Sequence, residues 1–453
     1  MITLDPPVEV TPSTSPDRFP PDVGGRVATL GLPSVLGDEP YVQRVADRPI
    51  SLDTLRALEG RARAVGVTSE FRAVVDYFGT APNETPAGFR VTATLDADRV
   101  LRYDLVRDIA RDVNGILRPT NILFSADTAN PYELAPVAKL VSNLTCNPGI
   151  VYDLFINDPR ANVGGAFHDR DEVFTEIARI LGPGSDITVE LNDPFAELPK
   201  VLEEAERFRE ILSRWRVVIK VPHTGPVNGD NYRQLLEGSG RLDTRFEQPT
   251  ARDAFHAHNL ALAMREHGFR VNFTLMFEPY QTLLALQARP YFINAFVRHR
   301  RIQSAAMREL IDAFRSTHDE SHLQRLRALL IEKDYLSGAD ADAPLPDCLA
   351  MAERIVAYRR FDEPEGADGL DSVRHALRVL RGANLPDTRL IICSMEGPDM
   401  YPNIDRLLAT DEFADMTRRV MITAEPNYLA RFTSANQVIS YHRRFMTAAQ
   451  GQT

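Results

Sequence analysis

A closed (β/α)8 TIM barrel, carrying an N-terminal, mainly helical extension and two helical insertions, is the fold this sequence predicts. From residue 121 onward, short apolar runs alternate with helix-like text, the pattern of parallel strands covered by helices. The runs number about eight, the strand count of a closed barrel. No Gly-rich phosphate turn follows the first run, as an open doubly wound sheet of the dinucleotide-binding kind would show.

The elements follow in order. Residues 1–25 are rich in Pro, Ser and Asp and are expected to form a poorly ordered arm. Residues 26–118 make up the extension. Within it, ISLDTLRALEGRARAVGVTSEFRAVVDYF (50–78) reads as helices broken near Gly66, with Ser51 as an N-cap. GFRVTATL (88–95) reads as a strand and residues 99–117 as an amphipathic helix. No catalytic pattern occurs before residue 118, and a cap packed on the main domain is the expected role.

Residues 119–453 hold the barrel. Its runs are NILFSAD (121–127), LVSNLTCN (140–147), DITVELN (186–192), RVVIKV (216–221), RVNFTLMF (270–277), YFINAFV (291–297), TRLIICS (388–394) and RVMITAE (419–425). Two connections are long. Residues 223–269 contain the loop GPVNGDN before a helix near 250–266, and residues 299–387 contain a charged helical run and the loop-like ADADAPLPD and FDEPEGADG. Long structureless loops are rare in compact domains, so both are expected to be helical insertions with functional or assembly roles.

The net charge of −11 argues against nucleic acid or an anionic membrane as the main partner. A small anionic substrate stays compatible with it, because an acidic protein can hold a local basic pocket. Cys146, Cys348 and Cys393 show neither metal spacing nor an even-numbered disulfide framework, which suits a reducing cytoplasm. The N-terminus lacks the basic start and apolar run of a signal peptide, and no apolar stretch approaches the roughly 20 residues of a membrane helix. A soluble, cytoplasmic protein acting on small molecules is expected, with the added helices offering a surface for a homo-oligomer.

In such barrels the active site lies at the C-terminal ends of the strands, so the polar residues closing each run matter most. In order they are Asp127, Asn147, Glu190, Lys220, Asn272 with Thr274, Asn294, Ser394 and Glu425. Lys220, in VVIKVPHT, follows three apolar residues; burial there is expected to lower its pKa and yield an amine able to attack a ketone. Taken alone, a lysine that snorkels out or pairs with a carboxylate explains the pattern better. Asp127 can shuttle a proton to and from a substrate hydroxyl, or simply cap the helix that follows. Glu190 and Thr274 can hold a water near an imine, or Glu190 can form a structural pair with Lys220. Asn147 and Asn272 can bind substrate hydroxyls, although asparagines at strand ends more commonly make turns. No His-rich or carboxylate cluster has metal spacing, so neither metal nor cofactor is expected.

The order of these runs resembles the transaldolase family. FSADTAN followed by LTCNPG is similar to that family's Asp strand and its Thr-Asn-Pro strand. TVELND, VVIKVP and VNFTLMFEPYQTLLAL resemble its Glu, Schiff-base Lys and Asn-x-Thr strands, and FINAFV, IICSM and MITAEPNYL resemble the last three. The resemblance spans about 121 to 430, apart from the insertions. It implies Lys220 as the imine-forming nucleophile, Asp127 as acid/base, and Glu190 with Thr274 on the catalytic water. Asn147, Asn272, Asn294, Phe296 and Ser394 fall among the implied substrate contacts, and Arg298, itself a departure from the family, is a candidate contact that could compensate at the phosphate end. Phe296 and Glu190 match transaldolases, whereas the related fructose 6-phosphate aldolases tend to place Tyr and Gln there. The implied reaction moves a dihydroxyacetone-type unit from a ketose donor to an aldehyde acceptor.

The phosphate end departs from the family. Arg298 stands where Gly is usual, His299 where the phosphate-binding Arg is usual, and Glu396 where a second such Arg is usual. Charge-assisted contacts contribute about 1.5–3 kcal/mol each, so these exchanges predict a substrate other than ordinary pentose phosphate intermediates. An aldolase of the same imine mechanism and a non-catalytic, sugar- or partner-binding barrel are the alternatives.

Overall fold

The computed structural model describes residues 23–78, 89–107, 123–213, 215–385, 387–395, 397–428, 431 and 435–451 of the chain. Residues 1–22 of the expected arm and residue 396 lie outside the described residues.

Among its described residues the extension is mixed, not mainly helical. Strands β1 (Val23–Arg26) and β2 (Pro49–Ser51) pair antiparallel, and Ser51 caps the helix Leu52–Leu58 by accepting from the Thr54 amide. A second sheet contains β3 (Ala64–Val67), β4 (Phe89–Leu95) and β5 (Val100–Arg107), with β5 central and the helix Ser69–Phe78 lying against β5. The helices expected over 50–78 are Leu52–Leu58 and Ser69–Phe78, and the break at Gly66 is a strand; the expected helix 99–117 is corrected, being strand as far as Arg107, its remainder lying outside the described residues. The period-two set Leu101, Tyr103 and Leu105 decides the matter, since all three pack with Val65, Val67 and Phe89 in one buried cluster. Arg99, at φ 63°, makes the tight turn between β4 and β5, where Asp96 accepts from the Val100 amide.

All eight expected barrel runs are strands: β6 (Leu123–Asp127), β7 (Val141–Thr145), β8 (Asp186–Glu190), β9 (Arg216–Pro222), β10 (Arg270–Thr274), β11 (Phe292–Phe296), β12 (Arg389–Cys393) and β13 (Val420–Ala424). They are parallel, follow one another in sequence order, and close where Met421 and Ile422 of β13 face Leu123 and Phe124 of β6. Alternation sorts their side chains. Leu123, Val218, Phe292, Ile391, Cys393 and Met421 form an apolar cluster inside the barrel. The intervening residues, such as Val217, Ile219, Phe273 and Ile293, join the larger core with the surrounding helices.

The bottom of the barrel is sealed by charge. Arg216, 2% exposed, pairs with Asp186 (2.8 Å) and with Asp104 of β5 (3.1 Å), tying the extension to the barrel. Gly184, at φ 88°, lets this contact close: a Cβ there would stand 2.4 Å from the Phe89 ring. Above lies a polar layer, in which Asn143 donates to Ser125 (2.6 Å) and accepts from Thr188 (3.0 Å), while Thr423 donates to Ser125.

The first insertion is mostly loop over 223–250, shaped by Asn228 and Asn231, before the helices Ala251–Ala254 and His256–Glu266. The second is helical. Arg298–Thr317, Ser321–Glu332 and Leu345–Tyr358 bury a cluster of their own, including Met307, Leu310, Leu326 and Met351, before Asp371–Gly382 returns to the barrel. The insertions touch: Arg245 pairs with Asp340 (2.8 Å), and Phe246 packs edge-on against Tyr335.

Candidate active site

At the C-terminal ends of the strands, β9 places Lys220 beside Glu190 of β8 and Asn272 of β10, each in register with it. Lys220 is 6% exposed, and its Nζ lies 3.0 Å from Glu190 Oε2. Burial pushes the ammonium toward neutrality, but Glu190 and then Asp127 outweigh it, so its pKa stands above its ordinary value. This corrects the expectation that burial alone would leave a free amine; here Lys220 is held as a cation.

Asp127 closes β6, in register with Thr145 of β7. Its carboxyl rises from 3.8 to about 6, chiefly through burial, with Lys220 opposing and Glu425 and Glu190 adding to the rise. The capping explanation fails, because the helix Pro131–Leu134 is capped by Asn130, whose side chain accepts from the Tyr132 amide (2.9 Å). Asp127 Oδ1 is buried with no hydrogen-bond partner within the described residues. The same holds for Thr145 Oγ1, both side-chain polar atoms of Asn272, and Asn294 Oδ1. Leaving such groups unpaired costs about 1–3 kcal/mol each, so a cluster of them in one barrel mouth marks a site built for a polar ligand.

Thr274 ends β10 and accepts weakly from Asn294 Nδ2 (3.4 Å). Phe296 ends β11 and packs against Phe277 (centroids 4.8 Å), whose other neighbour is the His299 ring (5.5 Å). Ser394 follows β12 in a left-handed conformation, φ 60°, with its carbonyl accepting from the Arg298 amide (3.2 Å). Such backbone in a non-glycine residue costs about 1–3 kcal/mol and tends to occur at functional rims.

Other expected contacts are placed differently. Asn147 caps the short helix Pro148–Val151, its Oδ1 accepting from the Ile150 amide (3.0 Å), so that oxygen makes the commoner turn contact. Arg298 is exposed at the start of its helix. Farther along the RHRR run (298–301), Arg300 is 2% exposed and bound to Glu278 and Asp371, while Arg301 pairs with Asp399 (2.7 Å). Glu396 lies outside the described residues.

Thr145 and Cys393 were not singled out from sequence. Both belong to the site: Thr145 faces Asp127, and the Cys393 thiol, pushed up mainly by burial, lies close enough to feel Lys220 and Asp127. The signal for both was parity, since each occupies the inward-facing alternation of its strand.

Among the described residues no group of three or more His, Cys, Asp or Glu has the geometry for a metal ion, and no helix is long and apolar enough to cross a membrane. Residues 124–325 match the family model for transaldolase/fructose-6-phosphate aldolase, a span reaching from β6 through β11 into the second insertion. The match agrees with the order of motifs and supports a Schiff-base aldolase type of enzyme on a (β/α)8 barrel. No curated protein matches the chain.

Proposed function

We propose that this barrel, as a member of the transaldolase/fructose-6-phosphate aldolase family, moves a dihydroxyacetone-type unit from a ketose donor to an aldehyde acceptor through an imine on Lys220. The observation that carries the reading is the triad of one cation and two carboxylates, the buried Lys220 with the half-buried Glu190 and Asp127, set among unpartnered polar atoms.

In the proposed sequence Lys220 passes its proton to a neighbouring carboxylate and attacks the donor's C2 carbonyl. Glu190 and Thr274 assist the loss of water from the carbinolamine. Asp127 takes the C4 hydroxyl proton, the C3–C4 bond breaks, and the iminium accepts the electron pair. The enamine then adds to the acceptor aldehyde, and hydrolysis frees Lys220. A carboxyl of about 6 suits a group that must both take and return a proton near neutrality. Asn272 and Asn294 bind the donor's hydroxyls in this reading, with Phe296 as the wall. His299 and the engaged Arg300 and Arg301 favour a substrate whose distal end is not read as an ordinary sugar phosphate.

Borohydride trapping with a panel of phosphorylated and free ketoses, followed by peptide mapping, tests the proposal. A reduced adduct on Lys220 that vanishes in Lys220→Met supports imine chemistry, and turnover that needs an aldehyde acceptor separates a transferase from an aldolase. Tight ketose binding with no adduct would overturn the imine and leave a sugar-binding barrel with a structural Lys220–Glu190 pair.

A further inference from the structure

The second insertion does not merely sit beside the barrel. Its Arg359, 4% exposed, donates to Glu278 Oε1 (3.0 Å) and to the Tyr335 hydroxyl (2.7 Å). Arg300 holds the other oxygen of the same carboxylate (Oε2, 2.6 Å), donates to the Phe277 carbonyl (2.8 Å), and is anchored by Asp371 (2.9 Å). Two arginines thus face two carboxylates in a buried, electroneutral network that joins the inserted bundle to the end of β10.

What the network grips is the site's rim. Thr274 is followed by Leu275, at φ 54°, and then by Met276, Phe277 and Glu278. Gln281 closes this turn, accepting from the Phe277 and Glu278 amides (2.7 and 2.8 Å) and donating to the Leu275 carbonyl (3.0 Å). The Met276 carbonyl accepts from the Phe296 amide (3.0 Å), and the Phe277 ring packs on Phe296. A strained turn needs surroundings that over-determine it. Burying four charged groups brings little net stability compared with an apolar joint of the same volume, but it specifies one geometry.

We infer that Arg359 is a positioning residue: acting through Glu278, it holds Leu275–Glu278, and with them Thr274 and Phe277, in the reacting arrangement. The inference rests on the imine reading only for what is being positioned. The first insertion supports the same joint, as Phe246 packs on Tyr335, which receives the Arg359 hydrogen bond.

The test compares the full chain with Arg359→Met, Arg359→Lys and Arg315→Ala, the last removing an exposed ion pair to Glu353 on the same bundle. Two quantities are measured: amide hydrogen exchange in the 275–288 peptide, and the rate of borohydride trapping of dihydroxyacetone on Lys220. Arg359→Met is expected to speed exchange in that peptide while β6–β9 keep their protection, and to slow trapping about ten- to a hundred-fold. Arg359→Lys should recover part of both, and Arg315→Ala should match the parent. Unchanged exchange at 275–288, or exchange that rises equally throughout the barrel, overturns the inference. A parent protein that traps nothing counts against the imine reading instead, and the exchange result then decides by itself whether Arg359 holds the rim.

Discussion

Lys220 Nζ lies 3.0 Å from Glu190 Oε2, and their strands are in register at this pair, so cation and carboxylate face each other across one rung of the barrel. Burial favours the neutral amine, whereas Glu190 and Asp127 favour the ammonium and prevail. In the proposed imine chemistry Lys220 then rests in its unreactive, protonated form, and the pair must open before the amine can attack.

Glu190→Gln should uncouple two effects. With the largest opposing charge gone, burial has less to overcome, and the Lys220 pKa falls. The pH at which trapping reaches half its maximum should move downward. Turnover should nevertheless drop by about 10²- to 10⁴-fold, because the group that handles the departing water in the proposed mechanism is lost. A pH–rate profile of trapping alongside steady-state turnover checks both; an unmoved trapping profile would mean that the pair is not formed in solution.

Asp127 supplies a second pH effect. As the base of the proposed mechanism it must be ionised, so kcat/KM should rise with pH along a limb near 6, and Asp127→Asn should abolish turnover. Stability runs the other way. In the folded chain Asp127 keeps its proton to about 6, but in the unfolded chain only to about 3.8. Between those values the native state binds more protons, so its stability falls as pH rises. Asp127→Asn removes that slope, and urea melts at several pH values should show the variant gaining on the parent across this window. A constant difference would place the Asp127 pKa at its ordinary value.

The floor of the barrel offers a test on stability alone. Removing Asp104 leaves Arg216 buried with Asp186 and two carbonyl contacts, and also strips Thr68 of its acceptor. Breaking a buried pair by deleting one partner costs about 3–5 kcal/mol, and Asp104→Ala should fall toward the lower end because Asp186 remains. Denaturant unfolding measures the loss. Trapping at Lys220 should survive under native conditions, since the polar layer of Ser125, Asn143 and Thr188 separates floor from site.

The barrel was legible because its strands are buried on both faces, so each run is apolar almost throughout and ends in a polar residue at the mouth. Asp127, Glu190, Lys220 and Asn272 could be read from those endings. VLRYDLVR could not, because Val100, Leu101, Leu105 and Val106 also fit helical spacing, and the period-two set counts only once β3 and β4 pair on either side of it. Arg300 was hidden inside a run of charge. Its partners Glu278 and Asp371 lie 22 and 71 positions away in sequence, and no local pattern brings them together. For Lys220 the endings left a free amine and a pair with Glu190 both open, and the choice rests on two carboxylates carried by other strands.

His299→Arg tests how the distal end of the substrate is read. Position 299 lies in the first turn of the 20-residue helix Arg298–Thr317, where the helix dipole favours an anion. A phosphate arriving there meets Arg300 already engaged by Glu278 and Asp371, and Arg301 paired with Asp399. His299 presents its ring to Phe277 instead. An arginine at 299 would add a charge-assisted contact worth about 1.5–3 kcal/mol, or about a ten- to hundred-fold preference for a phosphorylated ketose. The measurement is the ratio of trapping rates on Lys220 for the phosphorylated and free forms of one sugar, in parent and variant. A ratio that rises in the variant would place the substrate's distal end at this helix and support the proposal that His299 turns specificity away from a phosphate. An unchanged ratio would mean that the substrate's far end lies elsewhere along the rim, and that His299 serves the aromatic wall alone.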